Sequence, residues 1–209
     1  MQSKINNIQE DLLWNRMKNG DHDSFSLIFK FYYPQLYSYG IKLIPFSDFV
    51  RDQIQDLFIN IWRKKDSLGE VSNLKAYLFI SLRRRLFAEK KNNLNTNSLE
   101  EVSEEDKHTL IFEPVEFFDK EYISGNLKEK LVENLNSLPP NQREIIFFRF
   151  LHQLTYKEIA NILNVKEQSV KNIMPKILQK LSVGITDVSK DDLGDIDIML
   201  FNLFMLLKK

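Results

Sequence analysis

Amide and amino side chains recur through residues 167–180 in a pattern that could hydrogen-bond to DNA. Asparagine and glutamine can pair with adenine edges, and lysine can bind guanine or a phosphate group. Apolar residues lie between them at helical spacing, so the polar side chains would share the outward face of one helix. The candidates for contact with DNA are Gln168, Ser169, Lys171, Asn172 and Lys176.

A preceding helix and a tight turn are predicted to position this face. Thr155 is a suitable N-cap for a helix from Tyr156 to Leu163, and Asn164 tolerates the left-handed backbone that the turn needs. We expect the second helix to begin near Glu167. The packing residues would be Ile159, Ala160 and Leu163 on one side and Val165, Val170, Ile173 and Ile177 on the other. The spacing indicates a DNA-binding helix-turn-helix, with a plain helical hairpin in a core as the alternative.

Two prolines fall inside predicted helices. Pro175 would leave the carbonyl of Lys171 without its helical donor, which predicts a kink or break near Met174. The candidate base-reading residues precede this point, but Lys176 would be redirected. Pro34 is likewise expected to kink or divide a helix that resumes through Leu36.

Catalytic and metal-binding patterns are missing from the sequence. It has no cysteine, its three histidines are isolated and no glycine-rich phosphate loop occurs. We therefore expect no enzymatic activity and no cofactor or metal. No signal-peptide pattern or membrane-length apolar run is present, which predicts a cytoplasmic protein.

The 29 basic and 29 acidic residues balance, but they are arranged in blocks. Residues 83–91 hold five basic side chains and one acid, and residues 99–122 hold nine acids and two lysines. Residues 155–181 hold five lysines and two glutamates. The order basic, acidic, basic is more informative than the neutral sum.

Helical periodicity divides the chain into two domains. In residues 8–92 the clearest apolar stripe is Ile54, Leu57, Phe58, Ile61 and Trp62. The period is lost in the polar, acidic residues 93–121, read as a linker, and returns in 122–182. We predict an all-α fold of two small helical domains joined by an acidic linker, the C-terminal one containing the helix-turn-helix. An apolar helix is expected in a C-terminal extension, 183–209.

Four segments in this order resemble the extracytoplasmic-function (ECF) group of sigma-70 family RNA polymerase sigma factors. They are "GDHDSFSLIFKFYYPQLYSYG", "DQIQDLFINIWRKKDSL", "NLKAYLFISLRRRLFAEKK" and "LNSLPPNQREIIFFRFLHQLTYKEIANILNVKEQSVKN". The resemblance implies that residues 8–92 form the region 2 domain, which docks on polymerase and opens the minus-ten element. It implies that residues 122–182 form the region 4 domain, which reads the minus-thirty-five element.

Site residues follow from this resemblance position by position. Those expected to face the polymerase clamp are Asp52, Gln55, Asp56 and Asn60. Those expected to face minus-ten DNA are Lys75, Phe79, Arg83, Arg84 and Lys91, with Phe79 stacking on an unpaired base. Arg84 stands where many members of the family have asparagine, which favours phosphate contact over base reading there.

The implied function is binding to core RNA polymerase and promoter-specific initiation. The expected partners are core polymerase and promoter DNA, with an anti-sigma factor as a further candidate. A free-standing helix-turn-helix regulator is one alternative, but residues 1–92 lack the alternating strands and helices of a response regulator. An enzyme and a helical sigma-like protein with weakened DNA recognition are the others.

The segment "DIDIMLFNLFMLLKK" exceeds what two sigma domains need. Its predicted apolar face is Ile196, Met199, Leu200, Leu203, Phe204 and Leu207. It is too short to span a bilayer. Two hypotheses remain open: a helix docked on one of the domains, or a segment that binds or replaces an anti-sigma partner.

Overall fold

The computed structural model describes residues 7–93, 110–113 and 125–183, and every regular element within these ranges is helical. This confirms the predicted all-α class. The chain forms two compact units, Met1–His108 and Thr109–Lys209. The predicted apolar helix in 183–209 and most of the predicted linker lie outside the described residues. None of the described helices is long and apolar enough to cross a membrane.

The first unit consists of four helices around one apolar core. They are α1 (Asn7–Lys18), α2 (His22–Leu43), α3 (Ser47–Arg63) and α4 (Leu74–Asn93), with a short 3-10 turn at Lys65–Ser67. Asp21 caps α2, since its carboxylate accepts hydrogen bonds from the Asp23 amide at 3.0 Å and the Ser24 hydroxyl at 2.7 Å. These bonds lower the pKa of the Asp21 carboxyl.

Helix α2 is continuous through Pro34, so the predicted division does not occur. Pro34 is exposed, whereas Tyr32 and Leu36 on either side of it are buried. A proline removes only one backbone hydrogen bond from the ladder. Burial of apolar side chains on both sides therefore outweighs that loss and keeps the helix intact.

A buried hydrogen bond joins α1 to α2. The Tyr32 hydroxyl donates to Oε1 of Glu10 at 2.5 Å, and both residues are buried. Burial raises the pKa of the Tyr32 phenol, and the bond to Glu10 raises it further. Because a buried carboxyl group without a partner is costly, this bond fixes the position of α1 on α2.

The crossing of α2 and α3 depends on a residue without a side chain. A Cβ atom added at Gly40 would lie 2.6 Å from Cγ1 of Val50, which is far inside van der Waals contact. Gly40 and Val50 are both buried. Glycine therefore lets the two helix backbones approach, and this approach orients the polar face of α3.

The second unit contains α5 (Gly125–Asn136), α6 (Pro140–Ile146), a π-helical turn (Phe147–Leu151), α7 (Tyr156–Leu163) and α8 (Glu167–Val183). Residues 110–113, which fall in the range predicted as linker, pack on this unit. The Phe112 amide donates to Oδ1 of Asn136 at 2.8 Å, and Nδ2 of Asn136 donates back to the Phe112 carbonyl at 3.1 Å. Leu110 and Phe112 are buried, so these residues contribute to the core of the unit.

Gly40→Ala is expected to destabilise the protein, although alanine is the better helix former. Overpacking against Val50 should cost about 1–3 kcal/mol, more than the roughly 1 kcal/mol gained from helix propensity. The measurement is urea unfolding of Gly40→Ala, Val50→Ala and the double variant. Val50→Ala should relieve the clash and make the double variant more stable than the sum of the two changes predicts. Strictly additive effects would contradict the close approach.

Candidate nucleic-acid interface

Local hydrogen bonds define the beginning and the end of α7. The Glu158 amide donates to Oγ1 of Thr155 at 3.3 Å, and the Thr155 amide donates to Oε2 of Glu158 at 2.7 Å, which forms a capping box. Asn164 follows α7 in the left-handed conformation, with φ of 55°. The predicted bounds of α7, its cap and its left-handed turn residue are confirmed.

The packing of α7 on α8 differs in part from the prediction. Ile159, Ala160, Val170 and Ile177 are buried as predicted. Val165 is 47% exposed, and Met174, which was not assigned to the interface, is buried instead. The difference arises because Val165 lies in the turn before α8 begins, where the helical period used to assign it does not apply.

The predicted break at Met174 is wrong. Helix α8 runs unbroken from Glu167 to Val183 with Pro175 inside it. Pro175 is exposed, and Met174, Ile177 and Leu178 around it are buried. As in α2, packing of the apolar face holds the helix together across one missing hydrogen bond.

The predicted DNA-contacting side chains are all exposed on α8. They are Gln168, Ser169, Lys171, Asn172 and Lys176. Two contacts order the first turns of the helix. Nε2 of Gln168 donates to Oδ1 of Asn172 at 2.7 Å, and Nζ of Lys171 lies 2.7 Å from Oε1 of Glu167. The face therefore combines neutral amide groups with lysines, which suits both base edges and phosphates.

A strained segment precedes α7. After the π-helical turn, Gln153 has φ of 57°, a conformation that non-glycine residues seldom adopt. Nη1 of Arg149 donates to the Leu154 carbonyl at 2.9 Å, and its guanidinium lies 5.0 Å from the Tyr156 ring centroid. Arg149 therefore ties the strained turn to the start of α7. Sequence reasoning did not identify this turn, because a π-helical turn has no periodic signal.

In the first unit, the four residues predicted to bind polymerase share one exposed face of α3. They are Asp52, Gln55, Asp56 and Asn60. Ile59, which the sequence analysis did not include, lies within this face and is 36% exposed. Oδ2 of Asp56 is 2.9 Å from Nη2 of Arg85 on α4. This ion pair links the acidic face of α3 to the basic helix α4.

The residues predicted to contact minus-ten DNA are placed unequally on α4. Arg84 is exposed, Lys75 and Arg83 are half-buried, and the Lys91 side chain lies outside the description. Phe79 is fully buried and packs edge-to-face on Tyr39 with ring centroids 5.4 Å apart. The prediction that Phe79 stacks on a base is wrong, because Phe79 is a core residue here.

A different aromatic residue lies beside the arginines of α4. Phe87 is half-buried, and the guanidinium of Arg83 is 4.6 Å from its ring centroid. Sequence reasoning missed Phe87, although its position four residues after Arg83 places the two side chains on one face of the helix. An aromatic ring beside arginine is the arrangement that stacks on unpaired bases in other proteins.

Comparison with known proteins agrees with this geometry. The family model "Sigma-70, region 4" matches residues 135–182. The chain is 32% identical over 65 residues to the ECF RNA polymerase sigma factor SigM of Bacillus subtilis, a match that spans 40% of that protein. It is 26% identical over 182 residues to the ECF RNA polymerase sigma-E factor of Escherichia coli, covering 79% of this chain and 88% of that one.

A solved structure supports the fold. The sigma factor RpoE of Bartonella quintana, in a co-crystal with the anti-sigma factor NepR, superposes with a TM-score of 0.51 and 24% identity. The match covers 78% of this chain and 98% of that one. The second unit is thus that of a helix-turn-helix DNA-binding protein. By these matches, the chain belongs to the ECF group of sigma-70 family sigma factors.

Gln153→Gly is expected to stabilise the protein by about 0.5–1 kcal/mol. Glycine removes the roughly 1–2 kcal/mol cost of a left-handed non-glycine residue, partly offset by its greater freedom in the unfolded chain. Gln153→Val is the control and should destabilise, because a branched Cβ is poorly tolerated at positive φ. Urea unfolding distinguishes the two, and equal stabilities of the glycine and valine variants would contradict strain at this position.

Proposed function

We propose that this chain binds core RNA polymerase and directs promoter-specific transcription initiation, without catalysing a reaction of its own. The observation that carries the proposal is the match to sigma-70 region 4 over the helices whose exposed face holds the candidate DNA contacts. The similarity to ECF sigma factors over 79% of the chain extends the assignment to the first unit. Core polymerase and promoter DNA are the proposed partners, which sets its place of action in the cytoplasm.

The proposed division of labour follows the charge blocks. Residues 8–92 would act as region 2, residues 93–121 as an acidic connection, residues 122–182 as region 4, and residues 183–209 as an extension. An anti-sigma factor is a further candidate partner, since the Bartonella quintana relative is described in complex with one. Core-dependent transcription from a matching promoter is the decisive experiment. Promoter binding without core polymerase would favour a free-standing regulator, and core binding without transcription a sigma-like protein with weakened DNA recognition.

We propose that the exposed face of α3 docks on polymerase. It carries two carboxylates, two amides and the exposed Ile59, which would give an apolar contact inside a polar rim. Asp56 is 59% exposed at its side chain even though it pairs with Arg85, so one of its oxygens is available to a basic partner. Desolvation of this carboxylate on docking is favourable only if the partner replaces the water it loses.

We propose that α4 contacts the minus-ten DNA and that α8 contacts the upstream element. On α4 the proposed residues are Lys75, Arg83, Arg84 and Lys91, with Phe87 taking the stacking role first assigned to Phe79. On α8 they are Gln168, Ser169, Lys171, Asn172 and Lys176. Arg84 is exposed and Arg83 already lies over an aromatic ring, so their guanidinium groups suit phosphate contact and base stacking respectively.

Asp56→Ala should weaken binding to core polymerase by about tenfold, the scale expected when one charge-assisted hydrogen bond is removed from an interface. Arg85→Ala is the matched control, because it breaks the same ion pair and keeps the carboxylate. Since the Asp56 side of the pair is exposed, both variants should remain folded with small losses of stability. If Arg85→Ala weakens polymerase binding as much as Asp56→Ala, the carboxylate does not contact polymerase directly.

Replacing both Arg83 and Arg84 with alanine should reduce open-complex formation and flatten its salt dependence. For each phosphate that is no longer neutralised, the slope of log K against log salt should fall by about 0.7–0.9. Arg16→Ala on α1 is the control, an exposed arginine of the same unit that no proposed surface includes. An unchanged slope in the double variant would show that these arginines do not contact DNA.

A further inference from the structure

Helix α8 presents lysines on a surface that no described side chain outside the helix covers by an ion pair. Lys171, Lys176 and Lys180 are exposed, and Lys166 is exposed just before the helix begins. Glu167 is the one acidic residue of α8, and it pairs with Lys171. We call these four lysines the α8 lysine face. It attracts a polyanion, whether DNA or an acidic peptide.

The sequence directly after α8 carries the opposite charge. Residues 184–197 contain five aspartates and one lysine, and the apolar stretch 198–207 follows. The match to sigma-70 region 4 ends at residue 182, so this segment lies beyond the part of the chain that the family model covers. Its acidic residues are Asp187, Asp191, Asp192, Asp195 and Asp197.

We propose that residues 184–209 fold back onto the α8 lysine face and compete there with DNA. The five aspartates would occupy the positions of phosphate groups, and the segment would lower the affinity of free protein for DNA until polymerase or promoter displaces it. The inference rests on the proposed function of α8 as a DNA-contacting helix.

The distances along the chain allow this return. At 1.5 Å per residue, Lys180 lies about 5 Å, Lys176 about 10 Å and Lys171 about 18 Å along the axis from Val183. A coil of the nine residues that lead from Val183 to Asp192 has an r.m.s. span of about 16 Å. The acidic stretch can therefore reach every lysine of α8 without being fully extended.

The apolar stretch has a destination at the other end of the helix. Thirteen residues lead from Val183 to Ile196 and span about 20 Å as a coil, close to the roughly 24 Å length of α8 from Glu167 to Val183. At that end Val165 is 47% exposed and Leu163 is half-buried. Burial against these side chains would add a contribution that salt does not screen.

Weak contacts are sufficient, because the segment is tethered. A short tether gives an effective concentration of about 1 mM, so a contact with a dissociation constant of about 0.1 mM would be occupied about 90% of the time. DNA affinity of the free protein would then fall by about tenfold. The Lys171–Glu167 pair does not prevent this, because an exposed pair exchanges readily with another carboxylate.

The first arm of the test measures proximity in the full-length protein. Since the chain has no cysteine, a nitroxide can be placed at Asn202→Cys alone. It should broaden the amide signals of α8 near Gln168, independently of protein concentration, and replacing the five aspartates with asparagine should remove the effect. No broadening in the free protein overturns the proposal. Broadening that appears only at high concentration, or only with an added anti-sigma factor, assigns the face to another occupant and also overturns it.

The second arm measures binding of the full-length protein to duplex DNA by fluorescence anisotropy. The five-asparagine variant should bind about tenfold more tightly than the unchanged protein. The matched control replaces Glu100, Glu101, Glu104, Glu105 and Asp106 with amides, the same change in net charge, and should gain far less. Equal gains would show an effect of net charge alone and overturn the proposal.

Failure of the underlying function gives a different result. If alanine at Lys171, Lys176 and Lys180 leaves DNA affinity of the five-asparagine variant unchanged, then α8 does not contact DNA. The nitroxide broadening in the chain with its native lysines and aspartates would be unaffected by that outcome. The two conclusions are therefore separable.

Discussion

The close approach of α2 and α3 at Gly40 and Val50 is the constraint on which the first unit depends. With a Cβ atom at Gly40 the helices would have to separate, because the Val50 methyl group would lie 2.6 Å away. Packing at this crossing turns Ile54, Leu57 and Phe58 inward, and all three are buried. The opposite side of α3 is left as one polar face. The proposed polymerase surface is therefore a consequence of core packing and needs no separate device to expose it.

Local chemistry made some elements predictable. The bounds of α7 follow from a capping box and a left-handed asparagine, which are interactions between residues at most four positions apart. Such features can be read from the sequence because they do not depend on the rest of the fold. The same holds for the exposed face of α3, where a clean apolar stripe leaves little choice of orientation.

Elements that depend on tertiary packing were predicted less well. In α4 apolar residues occur on several sides of the helix, so periodicity could not show that Phe79 is buried and Phe87 only half-buried. For Pro34 and Pro175 the local rule gave a kink or a break, but burial on both sides of each proline keeps the helices continuous. Local propensity is a weak prior wherever a well-packed apolar face opposes it. The Asp56–Arg85 pair was also beyond sequence reasoning, since its partners are 29 residues apart.

The ordering of the α8 face bears on how a neutral chain could recognise DNA. The Gln168–Asn172 hydrogen bond and the Glu167–Lys171 pair hold these side chains before any ligand arrives. Either contact must open or adjust when a base edge or phosphate takes its place. Because exposed contacts of this kind contribute little, opening them costs little, while the conformational freedom of the side chains is already reduced. Discrimination between sequences would then come from the amides, and the lysines would set how strongly the surface competes for any polyanion, nucleic acid or protein.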